Sequence, residues 1–227
     1  MKNISVIIPA AGYGKRMETK TPKQLIKINN HAIIYYTLMR FHNDQRIKEI
    51  IIPVSQEIKK QIIEICNKIN SFAKIKIILG GEKRQDSVRN GMQEVNENVD
   101  IILIHDAVRP FFSKNIIDDG VKLLDKYDGA IAAVPTINTI KIVKNNLIKE
   151  TLLRENLYRI NTPQMFNKEA ILRAYAYAKE NNYYGTDDSM LVEKVGGKVA
   201  VIPDSYDNIK ITTKSDLIIA KEVIDGN

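Results

Sequence analysis

The segment Pro9-Ala10-Ala11-Gly12-Tyr13-Gly14-Lys15-Arg16-Met17, followed by Thr21-Pro22-Lys23-Gln24, contains the residue types that hold a polyphosphate. It follows the apolar run Ile4-Ser5-Val6-Ile7-Ile8, so a strand would deliver a glycine-rich turn to the C-terminal edge of a sheet. Backbone N–H groups are free there, and phosphates bind well in such a cradle. Two familiar phosphate motifs do not fit. A dinucleotide fingerprint needs a third glycine where Met17 stands, and an ATPase P-loop needs Gly-Lys-Ser/Thr, which is absent. What remains is Gly12 and Gly14 with two cations, Arg16 and Lys23. A bare strand–turn–helix with surface cations explains this loop, taken alone, equally well.

Further chemistry-bearing stretches follow. Gly80-Gly81-Glu82-Lys83-Arg84-Gln85-Asp86-Ser87-Val88 again runs from a strand through glycines into a helix. The glycines allow a ligand close to the backbone, and Ser87 can cap the helix or bond a base edge. Ile104-His105-Asp106-Ala107-Val108-Arg109-Pro110 begins at the end of a buried strand, where α/β proteins place their sites. Asp106 can ligate Mg²⁺ or hold a ribose hydroxyl, and Arg109 can meet a phosphate or pair with Asp106. His105 is a candidate acid or base, although one histidine among polar groups is more often a structural hydrogen-bonder. Downstream lie Arg154, Thr162-Pro163-Gln164, Thr186-Asp187-Asp188 and Asn208-Ile209-Lys210. Thr186 to Asp188 read mainly as a helix cap. Asn208 to Lys210 are expected to close a strand and present one cation at its edge.

The elements that must position these groups alternate. Short apolar runs at Glu49–Val54, Ile75–Leu79, Ile101–Ile104 and Ala130–Val134 suit strands buried on both faces, as in parallel sheets. Helical patterns fall between them at about 32–44, 55–70, 84–96 and 113–126, and later at 167–182, 186–195 and 214–225, with a strand at 198–202. Strands alternating with helices imply right-handed crossovers and a three-layer α/β fold with a mostly parallel central sheet. One stretch breaks the rhythm. Thr139–Lys144 and Leu147–Thr151 flank Asn145-Asn146, which predicts a β-hairpin because asparagine tolerates positive φ. A lone hairpin cannot bury its apolar face. It either packs on its own domain or reaches a second subunit. With no repeat, linker or composition shift, one domain over 1–227 suffices.

Composition excludes several classes. The chain has 227 residues, 44% hydrophobic and 27% charged, which rules out disorder and collagen-like repeats. No apolar run approaches the roughly 18 residues of a membrane span, and MKNISVIIPA lacks the apolar length of a signal peptide. Cys66 is the single cysteine, set on the apolar face of a helical pattern, and reads as a buried structural thiol. A cytoplasmic protein is expected. The net charge of +7 is compatible with nucleic acid, an anionic membrane or a phosphorylated small molecule, but the lysines are scattered without aromatic interleaving.

Taken in order, Pro-Ala-Ala-Gly-x-Gly-x-Arg-Met, Pro-Lys-Gln, Gly-Gly-x-x-Arg-x-x-Ser-Val, His-Asp-Ala-x-Arg-Pro, Thr-Pro-Gln, Thr-Asp-Asp and Asn-Ile-Lys resemble the 2-C-methyl-D-erythritol 4-phosphate cytidylyltransferase family from Pro9 to Leu217. The resemblance implies a Rossmann-like nucleotidyltransferase fold. It also implies attack of the methylerythritol phosphate on the α-phosphorus of CTP, with Mg²⁺ or another divalent cation on the triphosphate. It assigns Arg16 and Lys23 to catalysis. Pro9, Ala10, Ala11, Gly12, Gly14, Gly81, Glu82, Arg84, Ser87, Asp106 and Ala107 would hold CTP, with Asp106 near the metal. Asp106, Arg109, Thr139, Arg154 and Lys210 would bind the methylerythritol phosphate. It further implies a homodimer whose hairpin arm, at about 136–156, carries Thr139 and Arg154 into the partner's site. The residue types agree independently: two highly charged anions must meet, so cations such as Arg16, Lys23, Arg154 and Lys210 should converge.

Asn138 stands where this family usually has Asp, and Glu82 where Asp is frequent. A ribitol-5-phosphate cytidylyltransferase is the nearest alternative, but such enzymes more often carry Leu-Ala-Gly-Gly in place of Pro9-Ala10-Ala11-Gly12. A basic nucleic-acid-binding protein, the alternative from another class, would not need Arg16 and Lys23 at the mouth of a glycine loop.

Overall fold

The computed structural model describes residues 1–13, 21–113 and 115–226. Gly14 and Arg16 lie outside the described residues. Seven strands form the main sheet: β1 (Ile4–Ile7), β4 (Ile47–Val54), β5 (Lys74–Leu79), β6 (Ile101–Ile104), β7 (Gly129–Pro135), β10 (Tyr158–Asn167) and β11 (Val199–Pro203). Two short hairpins stand apart from it. One is β2 (Lys27–Ile28) with β3 (His31–Ala32), and the other is β8 (Lys141–Lys144) with β9 (Leu147–Thr151). The sheet order is β11-β7-β10-β6-β1-β4-β5, parallel except where β10 runs antiparallel to β6 and β7.

The apolar runs divide their side chains between two cores. Ile4, Val6, Ile50, Ile52, Ile101 and Leu103 face one, whereas Ile7, Ile51, Ile102 and Ile104 face the other. That period-two division explains why these strands read as unbroken hydrophobic runs. The first core is closed by α1 (Ile33–Met39), α2 (Lys59–Cys66) and α4 (Asn115–Leu123), and the second by α3 (Arg84–Met92), α5 (Lys168–Glu180) and α6 (Asp188–Lys194). Both faces are therefore covered, giving the three-layer α/β arrangement. The last helix, α7 (Lys214–Asp225), packs through Leu217 and Ala220 beside Ile33 and Val108. Cys66 is buried at the end of α2, and burial pushes its thiol up to about 12.

The structure departs from the sequence expectations in several places, the unpredicted β2–β3 hairpin among them. β10 was not predicted, since Asn161-Thr162-Pro163-Gln164 has neither alternation nor strand propensity, and proline demotes a strand. Its pairing with β7 covers Tyr158–Ile160 and Gln164–Phe166, so Pro163 sits in an irregularity where the ladder asks nothing of it. Asn208-Ile209-Lys210 do not close a strand; they lie in the loop after β11. β5 is an edge strand with only intermediate burial at Ile75–Ile78, not buried on both faces. The predicted hairpin does form: Asn145 and Asn146 take φ of 52° and 63°, the left-handed turn that asparagine tolerates. No helix among the described residues is long and apolar enough to cross a membrane.

Candidate active site

β1 has β4 on one side and β6 on the other, so the sheet order reverses direction there. In open α/β sheets ligands bind outside the C-terminal ends of strands at such a switch point. The cleft of this protein lies there. Pro9, Ala10, Ala11 and Gly12 line it from the end of β1, Gly81, Glu82, Lys83, Arg84 and Ser87 from the β5–α3 loop, and Asp106, Ala107 and Val108 from the end of β6. Lys23 and Gln24 enter from a 3-10 turn, and Lys210 from the loop after β11. Residues distant in sequence are thus brought together as expected, except that Gly14 and Arg16 are not described, Arg109 stands behind Asp106, and Thr139 and Arg154 lie elsewhere.

The two glycine loops meet because glycine lets them. A Cβ at Gly80 would fall 2.7 Å from the Ala11 Cβ and 2.8 Å from the Ser87 Oγ. Ser87 does not serve as the helix cap; its Oγ accepts from the Gly81 N–H at 3.0 Å and so shapes the loop. The cap of α3 comes from Asp86 instead, whose carboxylate accepts from the Lys83 N–H. Gln24 donates to the Ala10 carbonyl at 2.6 Å, which fixes the Lys23 turn against the first loop.

Three cations converge on Asp106. Lys210 Nζ lies 2.8 Å and Arg109 Nε 3.2 Å from its Oδ2, and Arg84 Nε lies 3.3 Å from its Oδ1. Burial alone would raise the Asp106 carboxyl, but the charges of Arg84, Lys210 and Arg109 outweigh it and hold the group far below the usual carboxylate range. Arg109 is itself fixed, donating from Nη1 to Asn161 Oδ1 at 3.0 Å and to the Asn208 carbonyl at 2.7 Å.

His105 is fully buried and structural. Its Nε2 must carry the proton, because it donates to the Arg109 carbonyl at 2.8 Å. Nδ1 then accepts from the Thr162 hydroxyl, which accepts in turn from the Asp106 N–H at 3.0 Å. Burial pushes the imidazole down to about 3, so it is neutral near pH 7 and unsuited to acid–base work. Sequence reasoning singled out the stretches that hold Lys83, Thr162 and Asp188 without giving these three a role in the site, and it missed Asn161 and Tyr175. The roles of Asn161 and Thr162 depend on the β10 irregularity, and those of Asp188 and Tyr175 on the packing of α5 and α6.

A resident metal cage is not evident. No group of three His, Cys, Asp or Glu side chains among the described residues could hold an ion. Among the described residues Asp106 and Glu82 are the carboxylates lining the cleft, and the former is already engaged by three cations. This donor set fits Mg²⁺ carried in by a triphosphate, since that ion binds through phosphates with one or two carboxylates and water.

On the arm, Thr139 is exposed and Arg154 donates from Nη1 to the Ile137 carbonyl at 2.9 Å. Every residue of β8 and β9 is exposed, with Leu147 73%, Ile148 62% and, just beyond, Leu153 71% accessible. Neither Thr139 nor Arg154 lines the cleft of its own chain.

Comparison with known proteins agrees with this geometry. The IspD family, 2-C-methyl-D-erythritol 4-phosphate cytidylyltransferase, matches residues 4–225. A 2-C-methyl-D-erythritol 4-phosphate cytidylyltransferase of Clostridioides difficile is 44% identical over 97% of this chain and 93% of its own. A crystal structure of 4-diphosphocytidyl-2C-methyl-D-erythritol synthase from Anaerococcus prevotii superposes with a TM-score of 0.87 at 30% identity, covering 99% of both chains. A Francisella tularensis 2-C-methyl-D-erythritol 4-phosphate cytidylyltransferase (IspD) structure gives 0.82 at 32% identity, over 97% of this chain and 99% of the other. The chain belongs to the 2-C-methyl-D-erythritol 4-phosphate cytidylyltransferase family.

Proposed function

We infer that this enzyme joins CTP, as its Mg²⁺ complex, to 2-C-methyl-D-erythritol 4-phosphate, giving 4-diphosphocytidyl-2-C-methyl-D-erythritol and pyrophosphate for isoprenoid synthesis. Beyond family membership, one observation carries the inference. Lys23 and Arg84 share one cleft with Lys210, with Arg109 directly behind, against two backbone loops built to approach a nucleotide. The attacking phosphate oxygen is already ionised near neutral pH, so no general base is needed. One P–O bond forms at the α-phosphorus as the bond to the β-phosphate breaks, and pyrophosphate leaves with the electron pair. Catalysis is then positioning and charge stabilisation. Lys23, in the cleft, meets the charge building on the α-phosphoryl group, and the family resemblance gives Arg16 the same role. Pro9 to Gly12, Gly14, Gly81, Glu82, Arg84, Ser87, Asp106 and Ala107 hold the nucleotide, and Asp106, Arg109 and Lys210 the acceptor.

The test is pyrophosphate release from purified protein with CTP and Mg²⁺, run with methylerythritol phosphate and with ribitol phosphate. Release is expected with the former alone. Release only with ribitol phosphate reassigns Arg109 and Lys210 to another polyol, and silence with both overturns the inference.

The exposed arm belongs to the same proposal. A two-stranded hairpin is marginal alone, so Leu147, Ile148 and Leu153 call for a covering surface. In a homodimer the arm would bring Thr139 and Arg154 to the partner's cleft. Mixing an inactive Arg154→Ala variant with an inactive Lys23→Ala variant then restores about a quarter of wild-type turnover, because half the dimers are mixed and each has one intact site. No restoration after subunit exchange counts against shared sites. A cytoplasmic setting completes the proposal, in keeping with the single buried thiol.

A further inference from the structure

Asp188 is a buried carboxylate that the reaction above does not use. It is 1% exposed and begins α6. Its Oδ2 accepts from Arg84 Nη1 at 2.8 Å, and its Oδ1 accepts from the Tyr175 hydroxyl at 2.5 Å. Tyr175 is 4% exposed. Burial, and after it the Asp188 charge, raises that hydroxyl well above the ordinary tyrosine value, so it remains a donor. Neither residue lines the cleft, whereas Arg84 does and its side chain is 34% exposed.

A carboxylate this deep is unfavourable unless paired. Among the described residues its charged partner is the arginine at the nucleotide cleft. Arg84 is held more closely by Asp188, at 2.8 Å, than by Asp106, at 3.3 Å. Without Asp188 the guanidinium would turn fully onto Asp106, whose Oδ2 already holds Lys210 and Arg109. The backbone of Asp188 does not depend on this pair. The first turn of α6 is fastened by Asp187, which accepts from the Met190 N–H at 3.0 Å and from Gln164 Nε2 at 2.8 Å. Gln164 Oε1 in turn accepts from the Ser189 N–H at 3.1 Å.

We propose that Asp188, locked by the Tyr175 hydroxyl, is a positioning residue for nucleotide binding: it draws Arg84 away from Asp106 and keeps the guanidinium at the cleft wall for the bound nucleotide. The inference rests on the cleft being the CTP site. A charge-assisted hydrogen bond carries on the order of a tenfold effect. Calorimetric titration with Mg²⁺–CTP should therefore show Asp188→Asn weakening the nucleotide about tenfold and Tyr175→Phe about threefold. The Michaelis constant for methylerythritol phosphate should stay within about twofold. In an Arg84→Ala background the same two substitutions should change CTP affinity less than about twofold, because their effect passes through Arg84.

Wild-type affinity in both single variants, or equal further loss in the Arg84→Ala background, overturns the proposal. If Asp188→Asn fails to fold, the Tyr175→Phe cycle alone decides it. Wild-type protein that is folded but binds no CTP overturns the nucleotide assignment itself, an outcome distinct from failure of the cycle.

Discussion

A Lys23→Ala variant should turn over about 10²- to 10³-fold more slowly than wild type, while its affinity for Mg²⁺–CTP stays within about tenfold. The asymmetry follows from where the lysine stands. It lines the cleft on a short turn that Gln24 ties to the Ala10 carbonyl, and burial of Gln24 to 2% exposure keeps that turn from drifting. A pre-placed ammonium gains most where charge grows, at the α-phosphoryl group as pyrophosphate departs. Ground-state CTP already has the backbone loops and Arg84 to bind it. Steady-state kinetics with separate calorimetric CTP titration read the two effects apart. Unchanged turnover would remove Lys23 from the transition state, and abolished CTP binding would make it a ground-state anchor instead.

The second large effect concerns Asp106. Asp106→Asn deletes the negative charge that Arg84, Arg109 and Lys210 share, leaving Arg84 its pair with Asp188 and the three cations repelling one another in a partly buried site. Breaking a buried pair from one side is destabilising by about 3–5 kcal/mol. Part of that loss should return on adding pyrophosphate, which supplies anionic charge to the same cations and binds only the native state. The pH dependence has a definite sign. The folded Asp106 carboxyl is held far below its unfolded value, so its contribution is present above about pH 4 and fades as pH falls further. The stability gap between wild type and Asp106→Asn should therefore be constant from pH 5 to 7 and narrow below pH 4. His105 adds a background to both proteins that differs only through the neighbouring Asp106 charge. Its folded value of about 3 lies below the unfolded one, so it withdraws stability as pH falls from about 6.5 toward 3. Chemical denaturation across pH 2–7 measures both. A gap that widens in acid would contradict the charge arrangement described.

The sequence by itself determined the parts whose physics is local. Runs such as Ile101–Ile104 suit strands covered on both faces, since every side chain is apolar and the period-two geometry divides them between two cores. Asn145-Asn146 specified the arm's turn, because both positions need positive φ. The glycines, Lys23, Asp106 and Lys210 were legible as phosphate chemistry from residue type and order, and the cleft brings them together.

The tertiary structure decided what depends on partners far along the chain. β10 has no local signature, and it exists because β6 and β7 offer it hydrogen bonds on both sides. Its irregularity sets Asn161 against Arg109 and Thr162 between His105 and Asp106. Lys210 looked like the end of a strand, yet it reaches Asp106 from a loop whose shape the Asn208 side chain fixes through the Thr162 carbonyl and Asp204. Asp188 reads in sequence as the second carboxylate of a helix cap. Only the packing of α5, α6 and α3 turns it toward Tyr175 and Arg84, because a carboxylate removed from water is stable only beside the donors that the fold delivers.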